Sequence, residues 1–211
     1  MKSAAERDVL EAQIRAFCEA GNKKKAATLL LEGYGREILG FLISRLRDRD
    51  AASEVFSMFT EDLWRGLDGF RWRCSARVWA YTLARHAASH YLREARRRVR
   101  DVPLSRAGAL SEIGERVRTE TLASARTENK SRVAQLRERL PADDQMLLIL
   151  RINRKLAWTE IAQVMLHEGE VVEDSVLDRE SVRLRKRYQS AKEKLQNMAV
   201  EAGLVRARKD A

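Results

Sequence analysis

The chain has 211 residues, 45% hydrophobic and 34% charged, with 41 Lys and Arg against 31 Asp and Glu for a net charge of +10. That composition can bury a core and excludes disorder, and the positive excess makes a polyanion the default partner. Two prolines and ten glycines are too few turn-formers for a many-stranded sandwich or barrel.

A first helical pattern covers residues 4–18 (Val9, Leu10, Ile14, Phe17) and ends at Gly21. Asn22 then caps a second helix, in which positions 27, 30, 31, 34, 38, 41, 42 and 46 keep helical spacing. Arg47-Asp48-Arg49-Asp50 reads as a polar turn, followed by a third helix over 51–66 with Ala52, Val55, Phe56, Phe59, Leu63 and Trp64 as its apolar positions. Glycines 66 and 69 break it, and residues 70–76, FRWRCSA, form a loop with two aromatics between arginines. The fourth helix, 77–98, has a stripe of Ala80, Ala84, Ala87, Ala88 and Tyr91 that lets neighbouring helices approach closely.

Residues 100–130, with Pro103, Gly108, Gly114 and few large apolar side chains, read as a flexible linker with at most short helical pieces. Beyond it Val133, Leu136 and Leu140 share a face, Pro141 stops or restarts the helix, and helices are expected over 142–153 and 157–167. An acidic segment, 167–178, precedes a last helix from about Arg179 to Ala202, whose stripe is Leu184, Tyr188, Ala191, Leu195 and Met198. No strand pattern competes. The expected fold is all-α: two small helical domains joined by the linker, the second a helix-turn-helix. The boundaries are an N-terminal extension at 1–19, a first domain at 20–99, the linker at 100–130, a second domain at 131–202 and a tail at 203–211.

Cys18 and Cys74 have neither CxxC nor Cys–His spacing, which argues against a disulfide framework or structural zinc and fits a reducing compartment. The N-terminus lacks the apolar core of a signal peptide, and no apolar run approaches the ~18 residues of a membrane span. A soluble, cytoplasmic protein is expected.

The densest charge is at 71–100, nine arginines against Glu94, with Phe70, Trp72, Trp79 and Tyr91 in or beside it. Arginines that track phosphates and rings that stack on unpaired bases suit single-stranded nucleic acid; the competing reading is buried tryptophans under a solvated arginine face. His86 and His90 are four apart, but no third ligand or following glutamate completes a metal site. Glu54, Glu61 and Asp62 oppose the general charge and read either as a docking surface or as a solvated helix face. No nucleophile, phosphate loop or metal constellation accompanies them, so neither catalysis nor a cofactor is expected. The start of the last helix offers Arg179, Ser181, Arg183, Arg185, Lys186 and Gln189, mostly off its apolar stripe. Such a helix can enter a major groove.

Three stretches together are specific. Trp79-Ala80-Tyr81-Thr82-Leu83-Ala84-Arg85-His86 with His90-Tyr91-Leu92-Arg93 and Arg96-Arg97-Arg98 resembles the promoter-melting helix of extracytoplasmic-function (ECF) sigma factors. Asp50 to Phe56 is similar to that family's polymerase-docking helix, and Leu136 to Pro141 with Trp158-Thr159-Glu160-Ile161-Ala162 to its second DNA-binding domain, a helix-turn-helix of the winged-helix-like or sigma type. The resemblance implies a subunit that binds core RNA polymerase and directs it to promoters. Phe70, Arg71, Trp72, Arg73, Cys74, Arg77, His86, His90, Arg93, Arg96 and Arg97 then fall to the unpaired −10 element. Arg179 to Gln189, as named above, fall to the −35 duplex, and Glu54, Glu61 and Asp62 to polymerase. An anti-sigma protein is a further implied partner. The chain departs from the family pattern at Ser53, Phe56, His86 and His90 and in the acidic insertion. The alternative from the residues alone is a free-standing helix-turn-helix regulator or a helical RNA-binding protein.

Overall fold

The computed structural model describes residues 3–97, 113–119, 132–166 and 173–205, and no strand occurs among them. The chain divides into two compact units, Met1–Ala125 and Arg126–Ala211.

In the first unit each helix start has a local cause. Helix α1 (Ala4–Glu19) opens on a capping box: Glu6 N–H donates to Ser3 Oγ, and Ser3 N–H donates to the Glu6 carboxylate. Helix α2 (Lys23–Leu46) begins at Asn22, whose Oδ1 accepts from Lys25 N–H as expected, and ends at Arg47 in the left-handed region. Helix α3 (Arg49–Gly66) starts two residues earlier than the periodicity indicates. Asp48 Oδ1 accepts from the N–H groups of Asp50 and Ala51, so the expected turn is an N-cap. A 3₁₀ turn (Leu67–Gly69) leads to the aromatic loop and then to α4 (Ala76–Arg97).

Helix α2 is the central element. Its Leu30, Leu31, Ile38, Phe41 and Leu42 are buried with Val55, Phe56, Phe59 and Leu63 of α3 and with Ala80, Tyr81, Ala84 and Ala88 of α4. Each large apolar side chain so buried contributes roughly 1.5–3 kcal/mol. The alanine stripe of α4 does bring helices close, and Phe41 meets Tyr81 edge-on with ring centres 5.4 Å apart. At Gly33 a Cβ would stand 2.3 Å from Leu10 Cδ2, so the Leu10 side chain of α1 lies directly over this glycine of α2 and would have to shift for any larger residue.

Polar groups inside this packing form one connected set. The Glu11 carboxylate accepts from Tyr34 Oη at 2.7 Å and from the N–H groups of Ala76 (2.7 Å) and Arg77 (3.0 Å), the first turn of α4. Glu37 Oε2 accepts from Arg77 Nη2 at 2.7 Å, Arg77 Nε at 3.2 Å and Tyr81 Oη at 3.1 Å. Burial, then the bond to Glu11, push the Tyr34 phenol well above the usual tyrosine range.

The expected flexible linker holds a helix, α5, at residues 113–119. Val117 is buried, Arg116 pairs with Glu32 at 2.7 Å, and Arg118 Nη1 donates to Ser57 Oγ at 3.4 Å. One aliphatic side chain with a socket to enter is enough to order this piece against α2 and α3. The rest of 100–130 except α5 lies outside the described residues.

The second unit runs α6 (Arg132–Arg137), α7 (Ala142–Leu148), a π-helical turn (Ile149–Asn153), α8 (Trp158–Met165) and α9 (Asp174–Glu201). Its core joins Leu140, Leu148 and Ala191, with Tyr188, Leu195 and Met198 partly buried against them. Buried Gln145 donates to the carbonyl of Leu140 at 2.6 Å, and Arg187 Nε bonds Asp144 at 2.6 Å, tying α9 to α7. Helix α9 begins at Asp174, five residues before the expected start at Arg179. Acidic residues there favour the positive end of the helix dipole. No wing strand accompanies these helices among the described residues. Residues 167–172 of the acidic insertion and 206–211 of the tail lie outside the described residues.

Glu37→Ala leaves the Arg77 guanidinium buried without its carboxylate and is expected to destabilise the first unit by about 3–5 kcal/mol. Glu37→Leu/Arg77→Met should recover a large part of that. Urea unfolding followed by tryptophan fluorescence in a Trp158→Phe background, where Trp64, Trp72 and Trp79 report, measures both; equal losses in the single and double variants would contradict it.

Candidate nucleic-acid interface

The loop between the 3₁₀ turn and α4 is built on stacked rings. Phe70 lies between Trp79, centroids 4.5 Å apart and nearly parallel at 15°, and Trp72 at 4.7 Å. Trp79 is backed by Gly66, where a Cβ would come within 3.1 Å of its Cζ2. Trp72 has φ +56°, a left-handed conformation that a bulky residue adopts only when its surroundings hold it there. One such restraint comes from α1: the Arg15 guanidinium sits 5.6 Å from the centre of the Trp72 ring while Arg15 Nε bonds Glu19 at 2.9 Å. Lys23 makes a similar link, lying 4.8 Å from the Trp64 ring centre and pairing with Asp68 at 2.5 Å.

Beside these rings is a cleft of about 240 Å³ lined by Cys18, Glu19, Gly21, Lys23, Leu67, Asp68, Phe70 and Trp72. It combines an aromatic wall with one ammonium and two carboxylates, so it offers ring stacking together with hydrogen-bond donors and acceptors. Burial, then the Asp68 and Glu19 carboxylates, raise the Cys18 thiol above the ordinary thiol range. Cys18 and Cys74 form no disulfide, and both are partly buried.

The arginines and histidines assigned from the sequence separate by environment. Arg71, Arg73, His90 and Arg93 are exposed; Phe70, Trp72, Cys74 and His86 are half-buried. Residues 79, 86 and 93 recur every seven along α4 and so share one side of it, the face expected from the helical wheel. Arg77 must be removed from the set. It is 5% exposed and pairs with Glu37, because it falls on the buried stripe of Ala80, Ala84 and Ala88 instead of the outer side. The side chains of Arg96 and Arg97 lie outside the described residues.

In the second unit Arg179, Arg183, Arg185, Lys186 and Gln189 are exposed on α9, but Ser181 is 3% exposed and is also removed from the set. It lies three residues before Leu184 and four after Leu177, on the stripe that faces α8. Arg183 is held by Glu180 through two hydrogen bonds of 2.8 and 2.7 Å. Trp158 has Arg151 at 4.7 Å and Arg185 at 5.9 Å from its ring centre and meets Tyr188 edge-on. On α3, Glu54, Glu61 and Asp62 are half-buried, with Glu61 bonded to Arg65 at 3.1 Å. Among the described residues no group of His, Cys, Asp and Glu is placed to hold a metal ion, and no helix is long and apolar enough to cross a membrane.

No motif or spacing marks Glu11, Arg15, Lys23, Glu37 or Asp68 as members of this arrangement. They come from α1, α2 and the 3₁₀ turn, and only the tertiary packing brings them to the loop.

Packed rings with exposed arginines at the head of α4 suit contact with nucleic acid, and comparison with known proteins narrows the class. Residues 30–98 match the family model for Sigma-70 region 2. The chain is also 28% identical over 146 residues to the RNA polymerase sigma-H factor of Pseudomonas aeruginosa, an alignment that covers 67% of this chain and 76% of that protein. Residues 30–98 of the first unit are thus similar to a sigma-70 region 2, and the chain is similar in sequence to an RNA polymerase sigma factor.

Iodoacetamide should alkylate Cys18 in the native protein at neutral pH several-fold more slowly than free cysteine, since a raised thiol pKa leaves less thiolate. Asp68→Asn should speed the reaction by removing one of the causes. Peptide mapping by mass spectrometry gives both rates, and a Cys18 rate equal to that of free cysteine would contradict the prediction.

Proposed function

We propose that this chain is a sigma subunit of the extracytoplasmic-function type, acting in the cytoplasm, that binds core RNA polymerase and directs it to promoters without catalysis of its own. The observation that carries the reading is the Phe70–Arg73 loop. It stands at the head of α4 within the matched region 2, with Arg71 and Arg73 exposed beside the packed rings of Phe70 and Trp72. In this reading the first domain, 20–99, melts the −10 element. Exposed Arg71, Arg73 and Arg93 follow the phosphates, and the rings and adjoining cleft hold bases freed from the duplex. Melting is then differential binding. Each base-pair step opened loses about 1.4 kcal/mol of stacking, and each base stacked on an aromatic side chain returns roughly 1–3 kcal/mol.

The second domain, 131–202, reads the −35 duplex through Arg179, Arg183, Arg185, Lys186 and Gln189 of α9. Ten residues separate Arg179 from Gln189, about 15 Å of helix, enough to follow a short run of base edges in a major groove. Because the first turn of α9 is acidic, its middle turns make the approach. Glu54, Glu61 and Asp62 on α3 face the polymerase. An anti-sigma protein would act by covering either surface.

Run-off transcription with purified core polymerase on promoter fragments tests the whole reading, and no stimulation over core enzyme alone would sink it. Trp72→Ala should weaken binding to a DNA with an unpaired −10 segment by about 1–3 kcal/mol, with little change on fully paired DNA. Reversing Glu54, Glu61 and Asp62 to lysine should abolish polymerase binding while DNA binding remains; polymerase binding that survives would remove α3 from the docking surface.

A further inference from the structure

Resting on the docking role of α3, we propose that α5 is a built-in competitor for the α2–α3 face, occupying in the free chain a place where a polymerase helix would otherwise sit. Its seat is specific. Val117 is buried at Gly35, where a Cβ would come within 2.9 Å of Val117 Cγ1, and a Cβ on Gly114 would stand 3.4 Å from Thr60 Cγ2. Arg116 pairs with Glu32, and Arg118 reaches Ser57 Oγ while also pairing with Glu115 of its own helix. Ser57 lies three residues after Glu54 and four before Glu61, so the three share one side of α3. Arg118 therefore comes down on the side that carries two of the docking carboxylates.

Two features distinguish this seat from ordinary core packing. Gly35 stands inside α2, where glycine disfavours the helix and alanine would favour it, yet alanine there would collide with Val117. The socket is thus shaped for one aliphatic knob. Among the described residues the polar part of the hold is light, an ion pair whose side chains are 56% and 46% exposed and a 3.4 Å hydrogen bond, beside buried Val117 and half-buried Ile113. The partner that displaces it has the same chemistry, a helix with an aliphatic side chain flanked by basic groups, which meets Glu32, Glu54 and Glu61 as Arg116 and Arg118 face Glu32 and Ser57. Release of α5 and polymerase docking are then linked, and apparent affinity falls by the fraction of chains whose face is covered.

Two variants test this, each measured for binding to core polymerase with circular dichroism as the check on folding. Val117→Asp should unseat α5 and tighten binding roughly tenfold; unchanged or weaker binding by a protein that still melts cooperatively overturns the proposal. Thr60→Cys/Gly114→Cys, in a Cys18→Ser/Cys74→Ser background, should lock α5 down when oxidised. The locked form should lose polymerase binding and regain it on reduction; a locked form that binds as well as the reduced one also overturns it. Failure of the docking reading looks different: the unsubstituted chain, Val117→Asp and both redox forms would all fail to bind core polymerase, and this proposal would fall with it.

Discussion

Everything in the first unit depends on how one arginine is neutralised. Arg77 begins α4 on its inner side, and a guanidinium taken out of water is tolerated only with a carboxylate and full hydrogen bonding. Glu37 of α2 supplies the carboxylate, and Tyr81 uses the same oxygen. One turn earlier Glu11 of α1 takes the first N–H groups of α4, which no intrahelical carbonyl can reach. Helices α1 and α2 are thereby both fixed to the head of α4. The loop at 70–75 has its last residue tied to that end and its first tied to α3 through the 3₁₀ turn. Its rings can stack, and Trp72 can be kept in a left-handed conformation, because both anchors are rigid.

Net charge gains meaning once the ion pairs within the fold are set beside the basic side chains it exposes. Arg77 is neutralised inside the fold, Arg183 is clasped by Glu180, Arg187 is bound to Asp144, and Arg116 is held by Glu32. The basic side chains exposed at Arg71, Arg73 and Arg93 in the first unit and at Arg179, Arg185 and Lys186 in the second lie on separate units. A tryptophan lies among the basic residues of each unit: Trp72 stands between Arg71 and Arg73 in the chain, and Arg185 lies 5.9 Å from the Trp158 ring centre. A surface of that kind can bind a polyanion through charge and still distinguish an unpaired base from a paired one through its rings.

Most of the helices were legible because their burial is one-sided: wherever apolar residues recur at three and four, the structure has a helix. Boundaries were less so, since a cap is a local hydrogen bond that periodicity does not register. Asp48 was read as part of a turn, and the acids before Arg179 as an insertion, though both open helices. The two misplaced site residues share one cause. The resemblance places Arg77 on the −10 element and residue type places Ser181 on the −35 duplex, yet extending the apolar stripe by one turn in each helix passes through both (77, 80, 84, 88 and 177, 181, 184, 188). Spacing could have placed them inside. No spacing could have found Glu11 or Glu37, whose role exists only when α1, α2 and α4 meet.

The glycines of α2 carry the same lesson in a different form. Two of them stand two residues apart in the middle of a helix, and composition alone counts each as a weakness. Gly33 admits Leu10 of α1, and Gly35 admits Val117 of α5. Residues that close together in a helix point to different sides, since each step turns the chain by about 100°. One glycine therefore receives the segment before the helix and the other the segment after α4. A segment that reads from composition as a linker with at most short helical pieces joins the fold where Val117 meets Gly35, because the helix it meets gives up a side chain there. The weakness in α2 is the condition for its contacts.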